Sequence, residues 1–410
     1  MTTAAAGAAG IETELLEART RTLALLADLR DDQLRVPLLD ILNPFLWEAG
    51  HVAFFAEFWT LRHVRGRQPI VERSDALYDS AAVAHDSRWS LTLPSRAQTL
   101  AFLNAQLTAS LEAVARDPRD GDAYFYRLAL HHEDMHAEAM LYARQTLEYP
   151  FPPLPSIIAS PAAQTEVVEG DARVPAGRYT IGSARGNAFV FDNEKWAHEV
   201  DIEAFEIART PVTNAQFAGF VHAGGYSDER LWSAQGRQWR VAAGADAPLY
   251  WRLHDGHWQR RHFDRWCTLA EREPVTNVNR FEAEAYCAWA QRRLPTEQEW
   301  EVAAQGAGTG NLDGTLGGPC AVDAFPQSDS RFGCRQMLGN VWEWTSSTFE
   351  PYPGFSADPY KEYSEPWFGT HAVLRGGAWS TRERLVSTRW RNFYRPQRRD
   401  VFSGLRTCKR

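Results

Sequence analysis

LHHEDMHAEAMLYARQTLEYPFPPLP, residues 130–155, reads as a helix and its abrupt end. Residues four apart lie one above the other on a helix face. His132 and His136 therefore present two imidazoles side by side, whereas His131 is rotated by about 100°. Pro150, Pro152, Pro153 and Pro155 then stop the helix, because proline lacks the backbone donor and clashes with the preceding turn. The stretch reads as the last helix of a helical domain, running into a semi-rigid linker.

Working outward from it, residues 1–150 read as helices. Leu15, Leu23, Leu25 and Leu26 mark a first amphipathic segment. A second opens at Asn43-Pro44, read as an N-cap with proline at the first helical position. It runs through Trp47, His51, Phe54, Phe55 and Phe58. A third follows Pro94-Ser95 and carries Leu100, Leu103, Leu107 and Leu111. The fourth spans roughly Asp122 to Glu148. Four such helices predict a bundle. The connection from Gly66 to Pro94 is long for an idle loop, and its charged and aromatic segment Val83 to Trp89 reads as ordered. Residues 151–165 are the proline-rich linker.

Residues 166–410 are mixed and turn-rich. Arg178 to Ile181 and Ala204 to Ile207 read as short strands. Thr213 with Gln216, and Thr296 with Glu299, have the spacing of helix capping boxes. The predicted fold class is α followed by α+β: a helical bundle, then an irregular domain with little regular structure.

Composition sets the outer bounds. A chain of 410 residues suits two domains. A net charge of −8 argues against a nucleic-acid partner, which calls for a positive field. No run of about 18 apolar residues suggests a membrane span, and the N-terminus lacks the basic and apolar regions of a signal peptide. Five cysteines without a C-x-x-C pair argue against a disulfide framework or a cysteine zinc site, so a reducing cytoplasm is expected. The 16 tryptophans serve either as core anchors or as aromatic seats for a cation.

His51 completes the candidate metal set. It lies on the apolar stripe of the second helix, between Trp47 and Phe55, where a surface histidine is hard to explain; taken alone, it reads more often as a hydrogen-bonded core histidine than as a ligand. Facing helices of a bundle commonly build metal sites in this way. Three neutral imidazoles suit zinc, copper, iron or nickel, so the ligands alone do not choose the metal. His85, in the long connection, is not counted as a ligand. His132-Glu133-x-x-His136 is also the zinc-protease signature, with the glutamate as base. Against that rival, Ala139 stands where the extended form needs glycine, and the chain enters the linker just after Glu148.

The helical half resembles the DinB-like domain of the ergothioneine-type sulfoxide synthases, through Gly50-His51 and the run His132 to Glu138. The second half resembles their formylglycine-generating-enzyme-like, C-type-lectin-related domain. The matching stretches are Phe191 to Glu194, Pro211 to Asn214, Arg293 to Glu297, Gly339 to Trp344, Leu374 to Gly377 and Arg391-Asn392. The resemblance implies a mononuclear iron(II) held by His51, His132 and His136. It also implies dioxygen as co-substrate, and hercynine (trimethylhistidine) as acceptor of a sulfur or selenium atom at the carbon between its ring nitrogens. It places the substrates between the two domains. Formylglycine-generating enzymes themselves use a cysteine pair, and here Cys408 stands alone. A pure binding module, a third class, has no need of the histidine triad.

The pattern departs from the sulfoxide synthases in two places. Met135 stands where they have a glutamine that contacts the substrate imidazole, and methionine has no amide to donate. Near the C-terminus, Asn392, Phe393, Tyr394 and Arg398 occupy their substrate-binding run. Asn392 and Arg398 are retained, but Tyr394 replaces the aspartate that pairs with the ammonium group of γ-glutamylcysteine. A tyrosine suits a neutral, hydroxyl-bearing donor, which leans toward the selenoneine synthase branch and a selenosugar. The alternatives are a thiol donor, γ-glutamylcysteine or cysteine, and a Tyr394 that only packs. The resemblance also implies a tyrosine proton donor after the Trp-Glu-Trp motif, for which Tyr352 is the candidate, with Phe355 competing for the same place.

Overall fold

The computed structural model describes residues 3–116, 120–154, 167–186 and 189–410, with only the backbone described for 3–9 and 120–122. The chain divides into two compact units, 1–155 and 156–410. The linker expected at 151–165 is described only through Leu154, where the chain is non-helical; its remainder lies outside the described residues.

In the first unit the helices are α1 (Thr3–Ala27), α2 (Phe45–Glu57), α3 (Ser74–Tyr78), α4 (Arg96–Arg116) and α5 (Asp120–Thr146). A π-helical turn, Phe58–His63, prolongs α2 without a break. α2 packs on α4 and α5, and α1 on α5 and α4. Leu15, Ala18, Val114 and Leu130 fill the seam between α1, α4 and α5. α2 starts one residue later than the sequence predicts. Pro44, not Asn43, is the cap residue, and no side chain caps the helix. The Asn43 oxygen accepts instead from Arg88 Nη1 at 2.7 Å. None of the described helices is long and apolar enough to cross a membrane.

The second unit contains β1 (Asp171–Val174), β2 (Gly177–Ile181), β3 (His198–Ile202), β4 (Phe205–Ala208), α6 (Asn214–His222), α7 (Ala234–Ala243), β5 (Trp251–His254), β6 (His257–His262), β7 (Arg265–Thr268), α8 (Arg280–Trp289), β8 (Arg292–Arg293), α9 (Glu297–Ala303), β9 (Trp342–Thr348), β10 (Ala372–Arg375), β11 (Asn392–Tyr394), β12 (Ser403–Leu405) and β13 (Cys408–Lys409). They form sheets in the orders β1-β4-β13-β8, β11-β10-β9-β12, β2-β3 and β5-β6-β7. Both expected capping boxes form, at α6 and α9, and a third, Asn279 with Glu282, opens α8.

So little regular structure needs other ties. Three buried ion pairs supply them: Arg375 with Glu301, Arg391 with Glu297 and Arg406 with Glu343. Each guanidinium also donates to backbone carbonyls, which satisfies groups that a sheet would otherwise pair. Gly376 and Gly377 have φ of 98° and 83°, and a side chain at Gly376 would strike the Met337 carbonyl. Trp300, Trp342, Trp344 and Trp379 are core anchors.

Candidate metal centre

α2 is apolar and almost wholly buried, yet it carries Glu48 and His51 inside. His51 meets His132 and His136 of α5, and the ligand nitrogens of the three lie within 4.8 Å of one another. Nε2 of His51 and Nε2 of His132 are 3.2 Å apart. Among the described residues no other trio of His, Cys, Asp or Glu gathers in this way.

Two of the rings are gripped at the opposite nitrogen. His51 Nδ1 donates to the Tyr78 carbonyl at 2.7 Å. His136 Nδ1 donates to Glu48 Oε1 at 2.8 Å. Donation through Nδ1 leaves the lone pair on Nε2, so the outer partner sets which nitrogen can ligate. Stacking fixes the ring planes: His51 lies on Trp47 (4.8 Å, 9°) and His132 on Phe55 (3.5 Å, 5°). Burial, reinforced by the neighbouring His136, pushes His51 and His132 well below the usual histidine range. Both are therefore neutral, the form that binds a metal. Convergent imidazole nitrogens, two of the rings held at the opposite nitrogen, fit a divalent transition metal.

Glu133 turns the other way, toward α1. Arg19 Nε and Thr22 Oγ1 each donate to its Oε1 at 2.8 Å, and Arg19 Nη2 donates to its Oε2 at 3.1 Å. A buried carboxylate saturated in this manner is no general base, so the zinc-hydrolase reading loses its catalytic acid–base group. Glu133→Gln is expected to cost stability, about 3–5 kcal/mol in chemical denaturation, because Arg19 keeps a buried charge without its counter-ion. Wild-type stability in that variant would contradict this structural role.

His85, not counted as a ligand, is tied by Nε2 to the Leu42 carbonyl at 2.7 Å. Its neighbour Arg88 lies 3.9 Å over the Trp47 ring, on the indole that stacks on His51. Met135 sits on α5 beside His136 and is half-buried.

The other expected substrate residues are in the second unit. Asn392, Phe393 and Tyr394 form β11, paired with β10. Phe393 stacks on Phe349 at 4.0 Å. The Arg398 guanidinium lies 5.0 Å from the Tyr394 ring centre and forks onto Asp400 at 2.6 and 2.7 Å. Tyr352 is buried in a hydrophobic core cluster of this unit that also holds Trp300 and Met337. Arg391 covers its ring at 4.0 Å, and its hydroxyl has no hydrogen-bond partner. Burial raises the Tyr352 hydroxyl well above the usual phenol range, so it stays protonated. Phe355 is half-buried. Cys408 is buried in β13, and burial pushes its thiol up to about 12, away from the thiolate form that ligates a metal.

Sequence reasoning missed Glu48 and Tyr78. Glu48 precedes His51 by three residues and so shares its helix face, a signal that was available. Tyr78 contributes a backbone carbonyl, which leaves no trace in residue type.

Fold and site together define a class. Residues 14–143, which hold all three histidines, match the DinB superfamily. Residues 158–316 and 317–410 match the sulfatase-modifying factor enzyme 1-like domain. The class is thus a histidine-bearing DinB unit followed by a sulfatase-modifying-factor-like unit. Within it, the chain is 37% identical to the hercynine oxygenase of Mycobacterium tuberculosis, over 96% of each protein. It is 38% identical to that of Mycolicibacterium thermoresistibile, over 96% of this chain and 93% of the relative. The formylglycine-generating enzyme of Streptomyces coelicolor is 33% identical over 55% of this chain and 84% of its own length. The chain belongs to the hercynine oxygenase family of enzymes.

Proposed function

We propose that this protein is an iron(II)- and dioxygen-dependent enzyme that joins selenium or sulfur to the imidazole of hercynine, with a selenosugar as the preferred donor. The observation that carries the reading is the convergence of the His51, His132 and His136 nitrogens in a chain similar from end to end to hercynine oxygenases. We read the helical unit as a four-helix DinB-like bundle and the second as a C-type-lectin-related substrate-binding scaffold.

The three histidines would hold the iron, which when bound supplies the redox power to couple dioxygen to an otherwise unreactive imidazole C–H. The overall balance consumes one dioxygen. The hydrogen of the C–H bond and that of the Se–H or S–H leave as water, and the second oxygen atom remains on the chalcogen. The protein's own part is positioning. Glu48 and the Tyr78 carbonyl fix the ligand nitrogens, and Trp47 and Phe55 fix the ring planes and keep water from the rings' flanks. Met135, Asn392, Phe393, Tyr394 and Arg398 are assigned to the substrates. Tyr352, protonated and without a hydrogen-bond partner, is assigned as proton donor. Tyr352→Phe is then expected to change the ratio of coupled product to uncoupled donor oxidation; an unchanged ratio removes Tyr352 from the chemistry.

The relatives' name favours a second reading, a hercynine sulfoxide synthase that uses γ-glutamylcysteine or cysteine. The test is oxygen uptake and product analysis with iron-loaded protein, hercynine and each donor in turn. Faster turnover with selenoglucose supports the first reading, and faster turnover with γ-glutamylcysteine supports the second. No hercynine-dependent oxygen uptake with any donor defeats both.

A further inference from the structure

Gly50 sits inside α2, one residue before His51, where glycine costs about 1 kcal/mol relative to alanine. Its backbone does not require glycine, since its φ lies outside the left-handed range. The reason for it lies in α3. A Cβ built on Gly50 would overlap Cε1 and Cζ of the Tyr78 ring. Tyr78 is fully buried, and its ring also stacks near Phe102 of α4, with centroids 6.3 Å apart. Buried and in contact with both α2 and α4, it cannot simply swing clear of an added methyl group.

The same short segment holds the metal-facing ring in two ways. The Tyr78 carbonyl accepts from His51 Nδ1 at 2.7 Å. The Leu77 carbonyl accepts from Trp47 Nε1 at 2.8 Å, and that indole stacks on His51. Two successive carbonyls thus set both the rotation of His51 and the plate it rests on. They come this close to α2 because position 50 has no side chain.

We propose that Gly50 and Tyr78 are positioning residues for the metal centre: the Tyr78 ring, keyed into the missing side chain of Gly50, sets how near the 77–78 carbonyls approach and so fixes the orientation and tautomer of His51. The inference rests on the metal-centre reading above and deepens it. A methyl group at position 50 forces the ring, and the carbonyl attached to it, away from His51 Nδ1. His51 then loses the partner that keeps its lone pair on Nε2.

The test is cobalt(II) titration of metal-free protein, followed by d–d absorption, with thermal unfolding in chelator run alongside. Gly50→Ala is expected to bind cobalt about 10–100-fold more weakly, the usual effect of losing an outer partner, and to shift the absorption bands. Tyr78→Ala is expected to weaken binding about tenfold, and Tyr78→Phe, which keeps the ring, to bind like wild type. The double variant Gly50→Ala with Tyr78→Ala is expected to be no weaker than Tyr78→Ala, because the methyl then meets no ring. If Gly50→Ala does not fold, Tyr78→Ala against Tyr78→Phe carries the test alone. Lower melting temperatures with wild-type affinity and spectrum, or fully additive losses in the double variant, overturn the proposal. Wild-type protein that takes up no cobalt overturns the metal-centre reading beneath it.

Discussion

His132→Ala is expected to abolish iron binding and hercynine-dependent oxygen uptake together. Loss of an outer partner alone typically costs about 10–100-fold in metal affinity or activity, and loss of a ligand removes the bond that the partner only supports. His51 and His136 would remain, held by Tyr78 and Glu48, but two imidazoles leave a much weaker site. His132 is the decisive choice because it is both a proposed ligand and a close neighbour: its Nε2 lies 3.2 Å from that of His51 and its ring is stacked on Phe55. Its removal also opens space beside Phe55, so metal-free variant and metal-free wild type must be compared by thermal unfolding. A folded variant with no bound iron and no uptake is the expected result. Bound iron at wild-type stoichiometry in that variant would mean that the ion sits elsewhere, and the assignment of the triad would fall.

The three-histidine cluster was legible in sequence because helix geometry and polarity both mark it. His132 and His136 share a face by spacing, and His51 interrupts an apolar stripe where no surface residue fits. The supports were harder to read, each for a physical reason. Glu48 looks like an ordinary solvated helix residue until α5 covers it and leaves it 1% exposed. Tyr78 acts through its backbone. Asn43 resembles a helix cap, but its oxygen is claimed by Arg88, and competition from a residue so far along the chain is invisible to local pattern. The second unit was legible in its capping boxes and short strands, but otherwise only as irregular. Its hold comes from buried Arg–Glu pairs between distant segments, such as Arg391 with Glu297, and no periodicity announces such pairs.

Tyr394→Asp is expected to turn donor preference from the selenosugar toward γ-glutamylcysteine, with the ratio of kcat/KM values moving on the order of a hundredfold. The Arg398 guanidinium is engaged by Asp400 and lies against the Tyr394 ring, so under the proposed assignment this corner would offer the donor a phenol rather than a free carboxylate. A phenol hydrogen-bonds a neutral hydroxyl as well as water does, but it gives an ammonium group no compensating charge. An aspartate supplies that charge. A charge-assisted hydrogen bond contributes about 1.5–3 kcal/mol, or about 10–100-fold for the ammonium-bearing donor. Loss of the hydroxyl contact costs the sugar about 1 kcal/mol more, roughly fivefold. Tyr394→Phe separates the two effects: it should weaken the selenosugar by that smaller factor and leave γ-glutamylcysteine unchanged. The measurement is kcat/KM for both donors in all three proteins at saturating hercynine and oxygen. A ratio in Tyr394→Asp equal to that of wild type would mean that the donor's polar end contacts other residues, and that Tyr394 only packs on Arg398.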